Sequence, residues 1–231
     1  MLSNVFDTYV LIIAGIALTI TLFSIYVSRV YLPMKIKVAY LKSITALAAA
    51  VETKDSGTVG HAQRVAQLSV ELARNLGLKD LDLGRVEYAA LLMDIGKANV
   101  PQVILNKLEQ LSPDEWEIIK SHSRLGSEMV ASVPFLASIS DYVLHHHEYW
   151  DGSGYPDGLS GEEIPLVSRI LSIAADFDAM ISQRPYHDAL SHEAAIEEVR
   201  RGIGSKYDPN VAQTFFELIG NGFLIGEVKA A

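Results

Sequence analysis

The residues best suited to chemistry stand together at His145-His146-His147-Glu148-Tyr149-Trp150-Asp151-Gly152-Ser153-Gly154-Tyr155-Pro156. Three imidazoles and two carboxylates fall within seven residues, and these are three of the chain's seven histidines. Neutral imidazole is the commonest metal ligand, because one ring nitrogen coordinates while the other is oriented by a hydrogen-bond acceptor. Glu148 and Asp151 are the expected acceptors. The glycines open backbone conformations closed to other residues, and Pro156 stiffens the exit. The pattern reads as metal ligands on a helix end that opens onto a shaped loop. The plain alternative is a solvated helix end and turn.

A second clue is Asp94, at the end of the apolar run VEYAALLMDI (residues 86–95). A carboxylate at the end of a buried helix costs several kcal/mol unless a cation or donors compensate it. Lys97 is one such partner and a metal is another. His61 opens an amphipathic run whose stripe is Val65, Leu68, Leu72 and Leu76, with Gly77 as a stop. Taken alone, His61 reads as a structural or solvated residue. The chain has no cysteine, so disulfides, thiolate metal sites and thiol catalysis are excluded. Any metal must be held by nitrogen and oxygen, which favours iron, manganese, zinc or magnesium. A net charge of −9 with no basic stripe argues against a nucleic-acid polymer as partner.

Helices must position these groups. Ser112-Pro113-Asp114-Glu115 has the form of a capping box with proline in the first helical position, and it predicts a helix to His122 with Gly126 beyond. Residues 137–149 predict another, which delivers His145, His146 and His147. Thr58 or Gly60 is expected to cap the helix that starts at His61. Ser168 to Met180 predicts a further apolar helix. Ser191 and Asp208-Pro209 each open one more, and Gly220-Asn221-Gly222 closes the last. No alternating strand pattern of useful length is present, so the fold class is all-α.

At the N-terminus, residues 8–27 run TYVLIIAGIALTITLFSIYV, twenty residues without a charge. That length suits a helix crossing a hydrocarbon core of ~30 Å. Arg29, Lys35, Lys37 and Lys42 follow it, so the rest of the chain is expected on the cytoplasmic side of the inner membrane as a single-pass protein. Pro33 is expected to break or bend the helix as it leaves the membrane. The implied organisation is an anchor over residues 1–32, a linker helix over 33–55 and a domain over 56–225. The linker helix either packs on the domain or pairs with a second copy as a homodimer stalk.

Taken together the motifs resemble the HD-GYP family, a branch of the HD-domain metal-dependent phosphohydrolases. The markers are Gly60-His61 with Arg64-Val65, Asp94-Ile95-Gly96-Lys97, Leu105-Asn106-Lys107 and Lys120-Ser121-His122. They continue with His146-His147-Glu148, Asp151-Gly152, Gly154-Tyr155-Pro156, Arg169-Ile170-Leu171, Phe177-Asp178-Ala179 and Arg184-Pro185-Tyr186. The resemblance covers residues 41–215. It implies a helical bundle with two or three divalent metals, often iron or manganese, and hydrolysis of cyclic di-GMP to linear pGpG or GMP. It also implies that His61, Asp94, His122, His146 and His147 are metal ligands and that Asp94 bridges two ions. Lys97 resembles the family lysine near the phosphate, Arg184 a phosphate contact, and Tyr155 a residue of the loop beside the site. That loop is also where a signalling-protein partner would meet the domain.

Two positions depart from the pattern. Met93 stands where the family has the histidine before Asp94, and Ala175 stands where it has a metal-binding aspartate. A thioether is a poor ligand for oxygen-preferring cations and alanine offers none. Asp176 is next to the vacancy, but one helical step turns it by about 100°, so it should point elsewhere. Three readings follow: a phosphodiesterase with one well-held ion and one weak one, a cyclic di-GMP or protein-binding module without turnover, and a single-metal hydrolase of another phosphate ester.

Overall fold

Ser112 does what its sequence context demands. Its side chain accepts from the Glu115 amide, Glu115 accepts from the Ser112 amide at 2.7 Å, and Pro113 opens α6 (Pro113–Ala131). The computed structural model describes residues 2–55, 60–183 and 188–223. Among these every regular element is a helix, apart from one isolated bridge between Ile203 and Tyr207. The chain divides into two compact units, residues 1–43 and 44–231.

The first unit holds α1 (Leu2–Tyr26), a π-helical turn at Val27–Tyr31 and most of α2 (Leu32–Glu52). Every side chain from Tyr9 to Tyr26 is exposed. Among the described residues this is the one helix long and apolar enough, by length and composition, to cross a membrane. Pro33 does not break it. Proline is tolerated in the first turn of a helix, and Pro33 is the second residue of α2, just after the π-helical turn.

The second unit is built on α3 (His61–Asn75), which carries Val65, Leu68 and Leu72 as a fully buried stripe. It packs between α4 (Asp80–Leu92) and α8 (Leu166–Ile181), while α10 (Pro209–Gly220) lies on α3 and α8. Phe177 of α8 meets Phe215 of α10 edge to face, with centroids 4.9 Å apart, an arrangement that favours the ring quadrupoles. A short α9 (His192–Arg201), capped by Ser191, covers α8. Asp208 caps α10 with Pro209 first in the helix, as expected.

Two expectations are corrected. Residues 137–149 do not form one helix: a 3-10 turn (Ala137–Ile139) leads into α7 (Ser140–Leu144), which stops one residue before the histidines. The helix α6 passes through Gly126 instead of ending near it, and the glycine there lets the 3-10 turn Ile95–Asn99 approach closely. A Cβ on Gly96 would fall onto the His122 carbonyl oxygen, and Gly126 N lies only 2.6 Å from the same point. Gly60, one of the two expected positions, is the N-cap of α3. It has no side chain to offer, so Glu52 at the end of α2 accepts from the Gly60 amide at 2.8 Å and the Ala62 amide at 2.5 Å, while Thr58 lies outside the described residues.

Candidate metal centre

Asp94 follows the end of α4 and starts the 3-10 turn, His122 projects from α6, and His146 and His147 follow α7. One ligand atom from each of the four lies within 4.8 Å of the others. His145 points away, to the Asp141 carbonyl and Asp157. His61, from the start of α3, stands on the far side of Asp94 with Nε2 3.9 Å from Asp94 Oδ2.

The tautomers are set by what the other ring nitrogens meet. His122 Nδ1 is 2.6 Å from the Ile119 carbonyl and His146 Nδ1 is 2.6 Å from the Val143 carbonyl. A carbonyl only accepts, so each Nδ1 carries the proton and each Nε2 keeps a bare lone pair. Yet those two Nε2 atoms face one another at 3.4 Å, and His122 Nε2 is also 3.4 Å from Asp94 Oδ1. Three electron-rich atoms that converge without a shared proton suit a cation between them, so the residues present fit a divalent metal. Burial pushes the imidazoles of His122, His146 and His147 down, His146 to about 4, so all three are neutral donors at pH 7. Burial alone would raise the Asp94 carboxyl, but the Lys97 ammonium beside it holds it well below the usual carboxylate range.

The acceptors expected to orient the imidazoles are not Glu148 and Asp151. Glu148 is buried and accepts from the Asp157 and Gly158 amides at 2.8 and 3.1 Å, which ties down the Gly-Tyr-Pro loop. Asp151 closes a turn on Ser153. Backbone carbonyls three residues upstream take the orienting role, since a histidine in a helical turn reaches that carbonyl without long-range help. His61 is the exception: its Nδ1 is 2.7 Å from Asp178 Oδ2, and Arg64 holds Asp178 at 2.5 and 3.0 Å.

Lys97 Nζ lies 3.1 Å from Asp94 and 3.2 Å from Asp55, a buried carboxylate that sequence reasoning gave no role. Tyr155 stacks on the His147 ring with centroids 4.8 Å apart, and Lys120 Nζ sits 5.7 Å from the Tyr155 ring centroid. The Tyr155-Pro156 peptide is cis. Arg184 lies outside the described residues. Met93 is buried with its backbone in the helical region, and Ala175 is half-buried within α8. Asp176 points elsewhere, accepting from Tyr207 and Lys206, both at 2.8 Å. An open cavity of about 470 Å³ reaches the cluster, with Lys97, His122, His147 and Tyr155 in its wall.

A helical bundle that aims three imidazoles and a carboxylate at one point defines a metal-binding helical domain. The HD domain family model matches residues 45–211, and the chain belongs to that family, with the HD-GYP motifs described above. It is 39% identical over 169 residues to a cyclic di-GMP phosphodiesterase of Thermotoga maritima, covering 72% of this chain and 46% of that one. It is 36% identical over 172 residues to 3'3'-cGAMP-specific phosphodiesterase 3 of Vibrio cholerae, covering 74% and 37%. The chain thus spans less than half the length of these curated relatives. The fold is similar to that of a cyclic GMP-AMP specific phosphodiesterase structure from V. cholerae, at TM-score 0.63 and 21% identity, covering 79% and 49% of the two chains. It also resembles the HD domain of the Listeria monocytogenes phosphodiesterase PgpH in complex with cyclic-di-AMP, at TM-score 0.52 and 20% identity, covering 76% and 94%.

Proposed function

We propose that this chain is a membrane-anchored HD-GYP domain that binds cyclic di-GMP over one firmly held divalent ion, iron or manganese, with turnover impaired at a second ion position. The observation that carries the reading is the pair of bare Nε2 atoms of His122 and His146 facing each other beside Asp94. Asp94, His122, His146 and His147 would hold the ion. When bound, such an ion supplies Lewis acidity toward a phosphate oxygen and lowers the pKa of water. Lys97 presents a positive charge to the cavity while Asp94 and Asp55 fix its position. Tyr155 shields His147 and closes one wall. The names of the relatives support a cyclic dinucleotide as ligand. Impairment rests on Met93 and Ala175, which leave His61 and Asp94 alone at the second position.

The uncharged stretch at residues 8–27 supports an anchor over residues 1–32, with 33–55 as a linker helix and 56–225 as a cytoplasmic domain. The deciding experiment purifies the full chain anaerobically with iron or manganese, counts metals, and measures cyclic di-GMP binding and cleavage. One metal per chain, binding and weak or absent cleavage are expected. Met93→His combined with Ala175→Asp should add a second metal and raise cleavage at least tenfold. A chain that retains no metal, or that ignores cyclic di-GMP, overturns the proposal.

A further inference from the structure

The cavity that ends on Lys97, His122 and His147 begins at an aromatic surface that the metal chemistry does not use. Trp116 and Leu108 both line it, and both are open to solvent, at 45% and 72% exposure. A large indole at the mouth of a polar cleft is an unexpected place to leave apolar area, since burial of such a ring is worth several kcal/mol. The backbone under Trp116 is well anchored. Trp116 occupies the first turn of α6, where Pro113 fixes the backbone and its own amide donates to Ser112. The neighbouring Glu115 is locked by the Ser112 amide and by Lys107, whose Nζ is 2.7 Å from both of its carboxylate oxygens. A fixed backbone leaves only the side-chain torsions of Trp116 to be ordered when a ligand settles on it.

We infer that Trp116 is a base-stacking residue: it receives a purine of the ligand whose phosphate lies at Lys97. The inference rests on the proposed function for the identity of the ligand, but its physical content is narrower. The wall of a single cavity carries a cation and two imidazoles of the metal-ligand cluster, matched to a phosphate, and also a flat apolar ring. A nucleotide has the same polarity, an anion at one end and a π-face at the other. Stacking tolerates any base, so Trp116 supplies affinity for a nucleobase, not discrimination among purines.

The test compares GMP with ribose 5-phosphate, which carries a phosphate but no base, on the metal-loaded full chain. Calorimetry should show GMP binding more tightly. Trp116→Ala should remove that preference, a loss of about 5- to 150-fold for GMP, with ribose 5-phosphate affinity and metal content unchanged. Trp116→Phe should keep most of it. In a Trp150→Phe background, which leaves Trp116 as the sole indole of the chain's two, GMP should quench the fluorescence and ribose 5-phosphate should not. The quench decides the matter should Trp116→Ala fail to fold. A wild-type chain with no preference for GMP, a preference that survives Trp116→Ala, or an unquenched indole each overturns the inference. Loss of cyclic di-GMP binding with the GMP preference intact would sink the functional reading alone.

Discussion

Single side chains set the acid sensitivity of this protein. The imidazoles of His122, His146 and His147 are held neutral by burial, so their folded pKa values lie below the value of about 6.5 they take in an unfolded chain. Between about pH 4 and 6.5 the unfolded chain therefore binds more protons than the folded one, and stability rises with pH through that window. For His146 alone, with a folded value of about 4, the loss from pH 7 to pH 4 is on the order of 3 kcal/mol. Asp178 acts in the same direction. Burial raises its carboxyl, His61 and Arg64 lower it further, and the stability it contributes disappears as the pH falls through its depressed folded pKa. Metal-free protein is thus expected to show a falling urea midpoint from pH 7 to pH 4.5. Metal at pH 7 should raise that midpoint, because the ion binds only the folded arrangement. A flat midpoint over this range would mean that the imidazoles are solvated.

At the scale of elements, the approach of the 3-10 turn Ile95–Asn99 to α6 decides whether Asp94 and His122 meet. Gly96 and Gly126 allow it, and Gly96 has no room for a methyl group. Gly96→Ala should cost about 1–3 kcal/mol through forced separation, and it should lower metal affinity more than stability, since a shift of an ångström moves a ligand out of range. Thermal denaturation and metal titration on the same sample check both parts. Local chemistry made much of this legible in the sequence. The Ser112 and Asp208 caps, the apolar stripe of α3 and the burden on a carboxylate after an apolar helix follow from a few neighbouring residues. Contacts between distant residues were not legible. The pairing of His61 with Asp178, 117 positions apart, and of Lys97 with Asp55 is set by the packing of α3 against α8 and of the 3-10 turn beside the end of α2. The end of α7 at Leu144 escaped for a related reason: His146 and His147 turn into a cluster with Asp94 and His122, residues distant in the sequence.

For the whole molecule, the claim that carries most weight outside the metal centre is the anchor. The full chain is expected in the membrane fraction after a high-pH carbonate wash. A chain that begins at Lys35 should move to the soluble fraction and keep its metal content. Recovery of the full chain in the soluble fraction removes the anchor and leaves the HD domain untouched. The domain itself does not depend on that outcome, because its core forms within residues 44–231.

The backbone acceptors behind His122 and His146 have a consequence for how such a centre decays. Each ring takes its bearing from a carbonyl three residues upstream in its own segment, whereas His61 relies on a carboxylate and a guanidinium from elsewhere in the bundle. A substitution that frees Asp178 or Arg64 is therefore expected to release the His61 ring and to leave His122 and His146 with their aim intact.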